Sequence, residues 1–199
     1  MSASKRFTTA VWRAFQQNKG HDANSFGHMR VVDATPGKVW AEMKVERHQV
    51  NRLQGLHGGL IASLVDTMGS LALASRGLFM TGVGSSFPKL PSLGYFLQFV
   101  VHDLLSTCHW MGAQVSTDIT ITYVRGAALD DVVQIRSELV NMGKTLAYTR
   151  TELSSAKTGK LLAYGSHTKY IADALKSPKN VKFSEDGESI VEGEEPKDV

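Results

Sequence analysis

Between Gly58 and about Arg76 the apolar residues Leu60, Ile61, Leu64, Val65, Met68, Leu71, Ala72 and Leu73 cover nearly the whole circumference of a helix. A helix that is apolar all round belongs in the middle of a fold. Before it, Met29 to Ala34 and Val39 to Val45 read as two strands joined by the turn Thr35-Pro36-Gly37, with Trp40, Met43 and Val45 as the apolar positions of the second. His48 to Leu56 reads as a loop. After it the period changes to two. Ser116 to Tyr123 sets Ile119 and Ile121 on one face and Thr120 and Thr122 on the other. Strands are expected over Val132 to Val140, Thr145 to Leu153 and Leu161 to Tyr170, separated by turns at Asn141-Met142-Gly143 and Ala156 to Gly159. Such short connections suit antiparallel hairpins. The simplest architecture with this pattern is α+β, an antiparallel sheet wrapped around one central buried helix.

The chain's 199 residues suffice for one domain with a proper core. The formal charge of +3 is unevenly spread: residues 172–199 hold eight acids and four bases, which leaves about +7 on residues 1–171. A basic body suits an anionic ligand. Without an arginine-rich run or a helix-turn-helix pattern, no nucleic-acid partner is expected. Residues 172–199 are polar and acidic with little to bury and are expected to be a disordered tail. Cys108 is the one cysteine, which excludes an internal disulfide and fits a reducing compartment. The longest apolar stretch, Leu93 to Leu105, is too short for a membrane span and is broken by Gln98, His102 and Asp103. Residues 1–21 carry Lys5, Arg6, Arg13 and Lys19, with Val11, Trp12 and Phe15 on one helical side. They read as an amphipathic helix packed on the domain, so the chain is placed in the cytoplasm; a mitochondrial presequence is the other reading.

The candidate chemistry lies in Asn51 to Asp66, Asn-Arg-Leu-Gln-Gly-Leu-His-Gly-Gly-Leu-Ile-Ala-Ser-Leu-Val-Asp. A His-Gly-Gly turn opens the greasy helix, and one carboxylate is set two turns inside it. A buried carboxylate is costly unless paired, and in a cleft it is a candidate for catalysis.

With Asn51, Leu56-His57-Gly58-Gly59, Leu64-Val65-Asp66, Val115-Ser116-Thr117-Asp118, Ile121-Thr122-Tyr123, Gly143-Lys144-Thr145-Leu146-Ala147, Thr158-Gly159-Lys160-Leu161 and His167-Thr168-Lys169 in this order, the chain resembles the hotdog-fold thioesterases, in the acyl-coenzyme A thioesterase 13 and PaaI-like branch. The likeness covers roughly residues 5–82 and 115–171. It implies a hotdog domain over residues 22–171, homodimers usually paired into tetramers, and hydrolysis of acyl-CoA thioesters, with coenzyme A as part of the substrate and no separate cofactor or metal. The alternative is a non-catalytic acyl-CoA-binding protein on the same fold; a hotdog dehydratase would need an Asp and His arrangement that is not apparent.

A thioester hydrolase must polarise a carbonyl and aim a water. Gly58 offers an N–H at a helix N-terminus, in a positive local field and open to close approach. By resemblance Asn51 holds the same carbonyl region, His57 orders the turn, Asp66 is the base or nucleophile, and Ser116 positions the water. His57 also reads as a structural histidine capping its own loop, and Ser116 as a strand-edge serine bonded to backbone. Eight residues of helix rise by ~12 Å, too far for Gly58 and Asp66 of one chain to share a carbonyl. The site is therefore expected across a two-fold interface. Arg125, Lys144, Lys157, Lys160 and Lys169 are available to the phosphates of coenzyme A, and Lys144 and His167 are singled out because they sit in family-like strings.

The family runs almost directly from the helix to the Val-Ser-x-Asp strand, whereas here Val83 to Gln114 intervene. Two readings stand: a lid over the acyl channel, or an intron translated in frame, since valine codons begin GT and a glutamine codon can end AG. Sequencing of the mature transcript decides between them.

Overall fold

The computed structural model describes residues 1–79 and 116–196; the insert at 83–114 lies outside the described residues. Helix α1 (Ala3–Gln17) and the short α2 (His21–Phe26) precede the hairpin of β1 (Arg30–Thr35) and β2 (Lys38–Lys44). The long helix α3 (Gly58–Ala74) follows, then β3 (Ser116–Tyr123), β4 (Val132–Met142), β5 (Leu146–Ser155), β6 (Leu161–Tyr170) and a small hairpin of β7 (Lys182–Phe183) and β8 (Ile190–Glu192). The six longer strands form one antiparallel sheet in the order β1-β2-β4-β5-β6-β3. Helix α3 lies against its inner face, with Leu64, Val65, Met68, Leu71 and Ala72 fully buried. The α+β hotdog architecture read from the sequence is the one observed.

The strands form where the alternation predicts them. The inner face of β2 consists of Val39, Ala41 and Met43, continued by Val45. Trp40, grouped with Met43 and Val45 by its character, stands instead on the outer face opposite Arg136, because neighbours in a strand point to opposite sides. Strand β4 runs two residues further than expected. A bulge between Leu139 and Asn141 absorbs one residue, so pairing reaches Met142 and the turn moves to Gly143-Lys144-Thr145.

At the ends, Phe7, Val11 and Trp12 of α1 enter the core and the Trp12 Nε1–H donates to the Met29 carbonyl at 2.9 Å, so this helix is part of the folded body. The expected disordered tail is corrected through Pro196. Val181 is buried, Phe183 meets Phe7 edge-on at 5.7 Å, and the Gly187 and Glu188 carbonyls accept from the Ser4 and Ala3 N–H groups at 3.0 and 3.3 Å. Those two N–H groups belong to the first turn of α1 and have no partner within the helix. A few well-spaced apolar residues and the unmet donors of α1 are enough to hold the segment.

Candidate active site

The turn that opens α3 is built by its own side chains. The Asn51 Oδ1 accepts from the Leu53 and Gly55 N–H groups at 2.8 and 3.2 Å, which closes the loop and leaves the Asn51 Nδ2 without a hydrogen bond among the described residues. Buried Gln49 anchors the loop through its side chain, donating to the Ser25 carbonyl at 2.7 Å, and its own carbonyl accepts from the His57 N–H at 2.9 Å. His57 is the N-cap: its Nδ1 accepts from the Gly59 N–H at 3.0 Å. In that bond Nδ1 is the acceptor, which agrees with the reading of this exposed histidine as a cap on its own loop. The Gly58 N–H makes no hydrogen bond among the described residues. Across it lies Tyr123 at the end of β3, whose hydroxyl donates to the Gly58 carbonyl at 3.1 Å. The sequence places Tyr123 in a strand and in the family-like string Ile121-Thr122-Tyr123 but gives it no site role; its place against the helix start depends on strand register.

Asp66 sits eight residues further along the same helix, so the ~12 Å of rise separating it from Gly58 stands. Its apolar neighbours predict burial, yet it is not hidden inside the protomer. Its side chain is 42% exposed, while its partners are buried. The Lys169 Nζ donates to the Asp66 Oδ1 at 2.7 Å, and the His167 Nδ1 lies 3.6 Å from the same oxygen. The Asp66 Oδ2 makes no hydrogen bond among the described residues. Burial pulls the Lys169 ammonium below its usual pKa, while Asp66 opposes the shift. Burial, and after it the charge of Lys169, pushes His167 down to about 4, so its ring is neutral at neutral pH.

His167 is 1% exposed, and among the described residues neither of its ring nitrogens has a hydrogen-bond partner. The expectation that it meets the nucleotide end of coenzyme A is corrected: a surface phosphate does not reach a ring enclosed between α3 and the sheet. Lys169, grouped with the surface lysines, is likewise buried. Lys144 does stand exposed in the β4–β5 turn, three residues from Ala147, which pairs with Lys169. Ser116 opens β3 directly opposite Lys169, on the strand end nearest Asp66. From α2, Asp22 Oδ1 accepts from the Thr67 hydroxyl at 3.1 Å, and burial raises its pKa, with the charge of Asp66 adding to the shift.

The described residues thus form two groups at opposite ends of β3: Asn51, His57, Gly58 and Tyr123 at one, and Asp66, Ser116, Lys169 and His167 at the other. The first offers N–H donors at a helix start, which can stabilise an oxyanion. The second offers a carboxylate with one uncommitted oxygen, which can take a proton from water. Among the described residues no group of three His, Cys, Asp or Glu side chains could hold a metal.

Comparison with known proteins matches residues 53–162 to the thioesterase superfamily model. Human acyl-coenzyme A thioesterase 13 is 35% identical over 148 residues, 74% of this chain and 82% of that protein. The crystal structure of thioesterase superfamily member 2 from Mus musculus superposes with a TM-score of 0.62 at 28% identity, covering 86% of this chain and 99% of that one. The E. coli PaaI protein of the phenylacetic acid degradation operon, at 19% identity, shares the fold with a TM-score of 0.56 over 83% of this chain and 97% of that one.

Proposed function

The chain belongs to the thioesterase superfamily, and on that premise we propose that it hydrolyses acyl-CoA thioesters to a free acid and coenzyme A. The observation that carries the proposal is the pairing of an open helix N-terminus at Gly58 with the free carboxylate oxygen of Asp66. Water held by Asp66 and Ser116 attacks the thioester carbonyl carbon, and Asp66 takes its proton. The Gly58 N–H, assisted by the Asn51 Nδ2, stabilises the oxyanion. His57 holds the turn in shape. When the tetrahedral intermediate collapses, the C–S bond breaks and the proton passes from Asp66 to the departing thiolate. Lys144 is a candidate contact for the phosphates of coenzyme A.

Both halves of this machinery meet only if a second copy is present. Among the described residues strand β3 is a sheet edge, long, exposed and with a single charge, the kind of edge that pairs with another chain. Antiparallel pairing of two β3 strands around a two-fold axis sets the Ser116 end of one beside the Tyr123 end of the other, and brings Asp66 of one copy toward Gly58 of its mate. We therefore propose a homodimer with two shared sites, itself paired into a tetramer. A cytoplasmic location is part of the same proposal; among the described residues no helix is long and apolar enough to cross a membrane.

The test is thiol release from short, medium, long and aromatic acyl-CoA substrates. Asp66→Asn should lower kcat by about 10²–10⁴, the usual worth of a general base, with fold and oligomer intact. Equal turnover by the variant would reassign the mechanism; coenzyme A binding without turnover by the natural protein would favour a binding module.

A further inference from the structure

A half-exposed carboxylate held by a buried ammonium is an unusual division of burial. Long ammonium side chains ordinarily carry their charge to water, yet Lys169 is 2% exposed and spends its length reaching the underside of α3. Its hydrogen bond is to Oδ1. His167 approaches the same oxygen from β6 at 3.6 Å, and Oδ2 has no hydrogen bond among the described residues. The two oxygens of Asp66 are thereby made unequal, one tied to the sheet and one uncommitted.

We propose that Lys169 is the positioning residue of the reaction: by holding Oδ1 it fixes the rotamer of Asp66 and leaves Oδ2 for the water. This inference rests on the assignment of Asp66 as general base. The charged and titratable groups facing Asp66 are Lys169 and His167 of β6 and Asp22 of α2, with Asp118 of β3 acting on His167. His167 is neutral at neutral pH and Asp22 carries the wrong sign, so of these groups only Lys169 can hold the anion.

The experiment measures kcat and KM for the natural protein, Asp66→Asn, Lys169→Met and Lys169→Arg. Lys169→Met should lower kcat about tenfold or more with little change in KM, since a misdirected base costs turnover rather than binding. Lys169→Arg, which keeps a cation at the end of the side chain, should recover part of the kcat lost in Lys169→Met, again with little change in KM. Turnover retained by Asp66→Asn would reject the general-base assignment itself. An inactive Asp66→Asn beside a Lys169→Met variant with natural kcat would overturn the role of Lys169 alone. If Lys169→Met does not fold, the readout is the double variant Asp66→Asn/Lys169→Met: a Tm above that of Asp66→Asn supports the pairing, since it removes a buried charge left without its partner, and a Tm no higher overturns it.

Discussion

Glycine at position 69 lets α3 lie against the polar strip of β5 and β6. A Cβ there would come within 2.7 Å of the Thr149 Oγ1 and 3.1 Å of the His167 Nδ1. Gly69→Ala should cost about 1–3 kcal/mol as overpacking, a fall in Tm of roughly 2–12 °C for a chain of this size; an unchanged Tm would mean that the strip yields freely. His167 adds a pH dependence. Its folded pKa of about 4 lies below the ordinary 6.5, so the unfolded chain binds the extra proton first. The contribution is complete above about pH 6.5 and is lost as the pH falls toward 4, worth up to about 3 kcal/mol in all. Thermal unfolding between pH 4 and 7 should show this slope, and His167→Phe should flatten it. Asp22 has the opposite sign: burial disfavours its anion, so Asp22→Asn should raise Tm at pH 7 if the Thr67 contact survives. At this scale the sequence marked Asp66 and Gly58 but not the partner of Asp66. Lys169 is 103 residues away, and only strand register brings them together.

The central helix and the strands were legible because each repeats a period over many residues, and burial follows period. The segment after β6 was not. Its apolar residues Val181, Phe183 and Ile190 are diluted by charge, and composition averages them away, whereas packing depends on what each one touches. Gly77 shows how tightly this strap is drawn: at φ +99° its missing Cβ leaves room for the Val181 carbonyl, which a side chain would meet at 2.0 Å. Gly77→Ala should cost at least about 1–3 kcal/mol in backbone strain, and truncation before Ser177 should lower Tm by exposing Phe7 and freeing the first turn of α1. Truncated and full chains with equal Tm would argue that the strap contributes nothing to the body.

For the whole molecule the decisive quantity is the separation of Gly58 and Asp66 along one helix. Neither Asp66→Asn nor Gly58→Val should turn over alone. Mixed in equal amounts and allowed to exchange, they should recover about a quarter of the natural rate, since half the dimers are mixed and each mixed dimer rebuilds one of its two sites. Failure to recover any rate in verified mixed dimers would count against the shared site.

The same spacing bears on inheritance. In the proposed dimer a sound subunit joined to a defective one would still complete one working cleft, so a single faulty gene copy would halve output instead of poisoning the product of the healthy copy. Two different lesions, one striking each end of the helix, would partly rescue each other in the same cell.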